Sequence, residues 1–378
     1  MSGELTVFLG KELKDCVQNM RDLLSQNNLT FLLGAGCSAC AGLPLMSALT
    51  EMVLEHEALG PQSKKLLNEI CNNFDGATHA NIENYMSEIV DLHAIIERRT
   101  TMGAGKLEID VGNGKYVAQD LKVALNEIKA AIVSAINDRE VNVAVHQSFV
   151  KAIHGSLQAG KATRSIDYYV LNYDTLVEDA LGLEQIPYSD GFAGTTTGWW
   201  EPAVFSFEKN VARVFKVHGS IDWCLLSDDT LPRRVRSGIA TSSERKHILI
   251  YPSASKYQET QRDPFAQILQ YMRARLSPDV NQEMILIICG YSFGDSHVNQ
   301  EIKNALYKSS GRLTLLAFVN TDYPGDILKS WVEDPRIKEQ IQIYANKCYI
   351  HGDDKKEFKN DLDWWKFEII TKLLGGEQ

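Results

Sequence analysis

The sequence predicts an α/β fold: a Rossmann-like parallel sheet with helices on both faces, plus an all-helical insertion. Three observations carry this expectation. Short apolar runs of strand length alternate with helical patterns. The first run ends directly in the glycine-rich turn Gly34-Ala35-Gly36, where such folds place a tight strand-to-helix connection. Between about 60 and 160 the strand pattern gives way to helical spacing.

The elements follow in order. Leu9, Leu13, Val17, Met20, Leu23 and Leu24 recur at helical spacing, so residues 9–27 read as an amphipathic helix. Leu29–Leu33 is the first strand. A helix is expected after the glycine turn, with Pro44 near the beginning of the next helical segment, where its missing N–H costs little. Helical segments are then expected at about 61–73, 80–99, 117–137 and 140–158. Loops are marked by Met102-Gly103-Ala104-Gly105-Lys106 and Gly112-Asn113-Gly114. Strands return at Ile166–Leu171, Arg213–Val217, His247–Tyr251, Met284–Cys289 and Leu313–Val319. The unbroken run Met284-Ile285-Leu286-Ile287-Ile288-Cys289 is what a strand buried on both faces requires. Two more strands are expected near 340–350. Residues 359–374, with Trp364, Trp365, Phe367, Ile369 and Ile370, read as a docking helix. The expected organisation is one Rossmann-type domain over 1–378 with a helical subdomain at 60–160 inserted into it.

Composition narrows the classes. The chain has 378 residues, 44% hydrophobic and 23% charged, with a formal net charge of −10. Such a chain can bury a sizeable core, and its charge lacks the footprint of an autonomous nucleic-acid binder. Arg233, Arg234 and Arg236 form a local basic run that reads as a solvated loop. The N-terminus carries acidic residues early and no apolar stretch of spanning length, so no membrane association is expected. The seven cysteines are scattered and odd in number, which fits free thiols in a reducing cytoplasm. Cys37 and Cys40 form a lone C-x-x-C pair. Without a second pair it reads as two small residues filling a tight loop, with a redox centre as the alternative.

Candidate site residues come from position. In open α/β sheets ligands bind outside the carboxyl ends of the strands. Five successive runs end in polar or glycine residues: Gly34-Ala35-Gly36-Cys37-Ser38, Asn172-Tyr173-Asp174-Thr175, His218-Gly219-Ser220, Gly290-Tyr291-Ser292-Phe293-Gly294-Asp295 and Asn320-Thr321-Asp322. The spacing Gly34-x-Gly36-x-x-Ala39 is a permitted form of the dinucleotide fingerprint. Each feature has a plainer reading alone: Asp174 and Asp295 as helix caps, His218 as a turn histidine, Gly290 as a tight turn, Asn320 as an Asx turn. Five such ends at one edge favour a shared crevice. A P-loop is excluded because no Gly-Lys-Ser/Thr follows the turn. An ordinary dehydrogenase would carry an acid about twenty residues beyond the glycines on a second strand, and Glu55 and Glu57 there read as helix.

This ordered set resembles the sirtuin superfamily. The opening motif of that family matches Gly34-Ala35-Gly36-Cys37-Ser38 with Gly42-Leu43-Pro44. Its Asn-x-Asp matches Asn172-Tyr173-Asp174, its His-Gly matches His218-Gly219, and its later Gly-x-Ser matches Gly290-Tyr291-Ser292. Asn320 looks like the Asn that approaches the adenine ribose. Two departures stand out. Deacylase members carry a four-cysteine zinc module after the His, whereas only Cys224 follows soon after His218 here. A closed zinc site needs four ligands, so no zinc ribbon and no metal are expected. Leu45-Met46-Ser47 also stands where deacylases carry Asp-Phe-Arg. The resemblance therefore points to the SIR2-like branch of bacterial antiphage proteins, some of which are encoded with a HerA-type hexameric ATPase.

What the resemblance implies is an NAD+ hydrolase that cleaves the nicotinamide–ribose bond, with NAD as substrate, used in antiphage defence by NAD depletion. It implies Asn172 orienting water and ribose, His218 as general base and Asp174 organising the site. Gly34, Ala35, Gly36 and Ser38 would cradle the pyrophosphate; Gly290, Ser292 and Asn320 would hold the adenosine side, and Asp295 would cap a helix or touch ribose. Expected partners are NAD, further copies of the chain and, as an alternative assembly, a HerA-type ATPase; control of activity by assembly or by the 60–160 segment is expected. The rival readings are an NAD-dependent protein deacylase, a non-catalytic NAD or ADP-ribose binder, and a nuclease subunit of an ATPase complex.

Overall fold

The computed structural model describes residues 11–24, 26, 28–74, 80–103, 107–155, 165–207, 211–227, 229–235, 246–249 and 263–375. Its centre is a nine-stranded sheet. The first strand, β1 (Leu29–Leu33), pairs in parallel with β4 (Ile166–Val170) on one side and β12 (Met284–Cys289) on the other. Beyond β4 come β8 (Ala212–Lys216) and the two-residue β5 (Tyr188–Ser189); beyond β12 come β13 (Leu313–Phe318) and β14 (Ile341–Tyr344), all parallel. The edge strands β15 (Cys348–His351) and β16 (Asp354–Glu357) run antiparallel. The chain moves outward from β1 through β4 and β8, then returns to β12 on the opposite side, so the strand order reverses at β1 and β12. That junction is where such sheets open a ligand crevice.

Alternation along each strand feeds two apolar layers. Leu32, Tyr169, Phe215, Leu286, Ile288 and Leu315 enter one, and Phe31, Leu33, Tyr168, Val214, Ile285 and Ile287 enter the other. The first layer is closed by α8 (Phe265–Arg275), α9 (Ser296–Ser309) and α10 (Asp326–Val332). The second is closed by α1 (Lys11–Leu24), α6 (Ala144–Gly155), α7 (Leu176–Leu183) and α11 (Phe367–Leu373). Helices on both faces are what strands without a polar side require. Trp364, fully buried, donates from Nε1 to the Ala345 carbonyl at 2.7 Å and anchors the C-terminal segment.

A third apolar cluster joins α2 (Met46–Glu55), α3 (Pro61–Asn73), α4 (Ile82–Thr101) and α5 (Ala118–Asn137). It also takes in Tyr173, Leu176, Ile221 and Leu249.

Four local expectations differ from the structure. No α-helix follows the glycine turn directly: two short 3-10 turns, Ala35–Cys37 and Ala39–Ala41, intervene, and α2 begins at Met46, after Pro44. The 60–160 segment is not wholly helical, since β2 (Glu108–Val111) and β3 (Gly114–Val117) form an antiparallel hairpin around Gly112-Asn113. β11 (Lys246–Leu249) lies in a second sheet of five strands, with β9 (Gly219–Leu225), β10 (Arg233–Val235), β7 (Thr197–Trp200) and β6 (Phe192–Gly194), all paired antiparallel. The expected strand continuation to Tyr251 lies outside the described residues. Arg233 and Arg234 are therefore strand residues, not a solvated loop. Arg233 pairs with Asp229 at 2.8 Å and Arg234 pairs with Asp190. Arg236 lies outside the described residues. Among the described residues no single helix is long and apolar enough to cross a membrane.

Candidate active site

The five strand ends singled out in the sequence belong to five adjacent strands, in the order β13, β12, β1, β4 and β8. At the junction the backbones meet without side chains between them. The Gly34 N–H donates to the Cys289 carbonyl and the Gly36 N–H to the Gly290 carbonyl, both at 2.9 Å. A Cβ on Gly34 would lie 2.5 Å from the Gly290 oxygen, and one on Gly36 would lie 2.7 Å from the Gly290 Cα. Gly290 has φ +63, a conformation that side chains disfavour. These glycines thus let two loops touch. The N–H groups of Cys37 and Ser38 also donate to protein carbonyls, those of Gly34 and Ala35. Ala35 is exposed on the turn.

Ser38, Asn172 and Asp174 form one hydrogen-bonded group. The Ser38 hydroxyl donates to Asp174 Oδ2 at 2.7 Å. Asn172 Nδ2 donates to Ser38 Oγ at 2.7 Å and to the Gly34 carbonyl at 3.0 Å. Asp174 Oδ1 accepts from the Leu176 N–H at 3.2 Å. Asp174 thus serves the start of α7 and the serine at once. Both donors of the Asn172 amide face the protein, while its Oδ1 is buried without a hydrogen-bond partner. A buried acceptor of this kind is costly unless something supplies a proton to it.

His218 stands on the neighbouring strand end. Val170 of β4 is in register with Lys216 of β8, so Asn172 and His218 each lie two residues beyond a paired position, on the same rim. His218 is buried, and its Nε2 lies 2.9 Å from Asp295 Oδ2. A carboxylate only accepts, so the imidazole donates from Nε2. Asp295 Oδ1 accepts from the N–H groups of His297 and Val298 at 3.0 and 3.3 Å, capping α9. Its backbone is fixed as well: the Asp295 N–H donates to the Tyr291 hydroxyl at 3.1 Å, and that hydroxyl donates to the Asp295 carbonyl at 3.0 Å. One carboxylate thus caps a helix and holds a buried imidazole contributed by a strand end 77 residues away.

Ser292 and Asn320 are exposed. The Asn320 carbonyl accepts from Asn346 Nδ2 at 3.1 Å. Neither is drawn into the Ser38–Asn172–Asp174 group or the His218–Asp295 pair by the hydrogen bonds described.

The C-x-x-C pair has the chemistry of packing. Burial pushes the Cys37 thiol well above its ordinary value and the Cys40 thiol up to about 11. Cys40 Sγ contacts the Cys37 carbonyl at 3.3 Å. A redox centre needs a lowered thiol. Among the described residues no group of three or more His, Cys, Asp and Glu could hold a metal ion.

Residues 167–339 match the family model described as the SIR2-like domain. This supports a place for the chain in the sirtuin-like superfamily. Solved structures of a Sir2 homologue, three substituted forms each in complex with ADP-ribose, are similar to it over 95% of this chain and 95% of theirs. Identity is 9–10% and the TM-scores are 0.38–0.39. No curated protein matches the chain.

Proposed function

We propose that this chain hydrolyses NAD+ at the nicotinamide–ribose bond, giving nicotinamide and ADP-ribose. The observation that carries the reading is the buried, unpartnered Oδ1 of Asn172, on the strand end beside a carboxylate-held imidazole. Nicotinamide leaves as a neutral base, so its departure needs no general acid. The transition state resembles an oxocarbenium ion. The protein must hold the ribose, limit water to one molecule and take up its proton. Asn172 Oδ1 accepts from that water or a ribose hydroxyl. Its orientation is set by the two bonds of Nδ2. His218 acts as the base, with Asp295 stabilising the imidazolium that forms. Asp174 holds Ser38 and adds negative charge near the developing cation.

The sequence resemblance further supports NAD depletion in antiphage defence, by an oligomer of this chain or with a HerA-type ATPase. It also supports reading 60–160 as an insertion that controls activity. Mass spectrometry of the products of NAD+ tests the core reading. ADP-ribose formed without peptide is the expected result, lost in Asn172→Ala and His218→Ala. Formation of O-acetyl-ADP-ribose only with an acetylated peptide would assign deacylation instead, and wild-type turnover by both variants would remove the site.

A further inference from the structure

The segment that carries His218 also holds the loop that carries Asn172. β8 ends at Lys216 and β9 begins at Gly219, so Lys216 and Ser220 flank the imidazole in the chain. The Val217 N–H donates to the Val170 carbonyl at 3.0 Å. The Tyr173 carbonyl accepts from the Ile221 N–H at 2.9 Å and from the Ser220 hydroxyl at 3.2 Å. The next carbonyl, that of Asp174, accepts from Lys216 Nζ. Successive carbonyls of the Asn172–Thr175 loop are thus held from the β8–β9 turn.

Lys216 is an unusual choice for this task. It is 1% exposed, and a buried ammonium is costly unless it is well paired. Its counter-ion is Glu178 on α7, whose Oε1 lies 3.9 Å away, too far for a hydrogen bond. Burial pushes the Glu178 carboxyl up to about 7 in spite of the nearby ammonium, so the pair does not recover the cost of taking both groups out of water. Apolar side chains at both positions would serve stability as well. What they could not supply is a donor to the Asp174 carbonyl. A charged donor makes a hydrogen bond roughly twice as strong as a neutral one, and this one falls on the residue whose carboxylate holds Ser38.

We propose that Lys216 is a positioning residue for the reaction. Through the Asp174 carbonyl it fixes the Asn172–Asp174 loop at the separation from His218 that admits one water molecule between Asn172 Oδ1 and the imidazole. The inference rests on the NAD reading. Lys216 acts on the backbone and not on substrate, and a misplacement of about 1 Å in such a site can cost on the order of 100-fold in rate.

Product partitioning by the full chain tests it. With NAD+ and methanol together, the nicotinamide–ribose bond breaks and its electron pair leaves on nicotinamide. Water or methanol then gives its oxygen to the anomeric carbon and its proton to His218, forming ADP-ribose or 1-O-methyl-ADP-ribose. Lys216→Met keeps the apolar stem and removes the donor. It should lower kcat at least about tenfold at near wild-type KM. It should also raise the ratio of methanol product to water product, because a looser site excludes the larger nucleophile less well. Loss of folded protein lowers both products together and leaves the ratio alone. Asp167→Ala, which removes a buried ion pair at the opposite rim, should therefore keep the wild-type ratio. Lys216→Met combined with Glu178→Gln leaves no unpaired charge, covers the case in which the single variant folds poorly, and should show the same raised ratio. A wild-type or lower ratio in these Lys216 variants overturns the proposal, as does a raised ratio in Asp167→Ala. If wild type forms ADP-ribose and Asn172→Ala does not, an unaltered ratio in Lys216→Met overturns this proposal alone. No ADP-ribose from wild type overturns the NAD reading and the proposal with it.

Discussion

Replacing Asp295 by Asn separates the two jobs of this carboxylate. Asn caps helices about as well as Asp, so the bonds from His297 and Val298 to Oδ1 can persist. What changes is the atom facing His218 Nε2, now 2.9 Å away as a carboxylate oxygen. An amide nitrogen there donates instead of accepting, so the imidazole must offer a lone pair at Nε2 and carry its proton on Nδ1. The charge that would stabilise the imidazolium is lost too. Loss of a negative charge at the first turn of a helix costs about 0.3–1 kcal/mol. General-base catalysis contributes roughly 10²- to 10⁴-fold. Asp295→Asn should therefore lose nicotinamide release by at least about 100-fold with a urea midpoint close to wild type. Asp295→Ala removes the cap as well, about 1 kcal/mol, and takes the acceptor from a buried imidazole, about 1–3 kcal/mol more. It should be clearly less stable than Asp295→Asn. Rapid nicotinamide release by Asp295→Asn would refute the assignment of Asp295 to the base. Equal stability of the two variants would refute the cap.

Other perturbations probe the frame. Gly290→Ala forces a side chain into φ +63 and against the Cys37 backbone nitrogen; the left-handed conformation alone costs about 1–2 kcal/mol, so a Tm equal to wild type would contradict the close approach of the two loops. Asp167, fully buried at the start of β4, takes two 2.7 Å bonds from Arg213 and lies 3.2 Å from Arg275. Asp167→Ala should destabilise by up to about 3–5 kcal/mol, less where the guanidiniums reach water; because Asp167 sits at the rim opposite the site, kcat of the folded fraction should hold, and a stable but inactive variant would contradict this. Burial lowers His146 and His154 to about 4, against about 6.5 in an unfolded chain. The unfolded state thus binds the extra protons below pH 6.5, so their stabilising effect is complete above that pH and lost as pH falls towards 4. The slope approaches about 1.4 kcal/mol per pH unit for each histidine; urea midpoints between pH 7.5 and 4.5 should fall accordingly, less steeply in His154→Gln, and a flat profile would sink the idea.

How much was legible depended on how many faces each element buries. Leu29–Leu33 and Met284–Cys289 are buried at every position, so their sequences are apolar but for Thr30 and readable as central strands. The antiparallel sheet left weaker traces. Phe192–Gly194 and Arg233–Val235 have three residues each, too few to show a period. Thr197–Trp200 alternates exposed and buried residues but spans only four. The hairpin at 108–117 did carry a usable signal: Ile109, Val111 and Tyr116 are buried on alternating positions around Gly112-Asn113. Charged neighbours hid it inside an otherwise helical stretch.

The site divides differently. Which strand ends would meet could be read from chain order, because parallel strands bring their carboxyl ends to one rim. Which atoms would meet could not. A helix cap uses one carboxylate oxygen, and nothing near Asp295 in sequence names the partner of the other; only the return of β12 beside β1 brings it to His218. The glycine turn shows the converse. Its spacing suggested N–H groups and a helix dipole presented to a phosphate, yet no α-helix starts there, and the N–H groups of Gly34, Gly36, Cys37 and Ser38 are engaged by the protein. The nearby N-terminus of α9 has a carboxylate already on it. Among the side-chain atoms of the described strand ends, the buried Oδ1 of Asn172 is left asking for a donor.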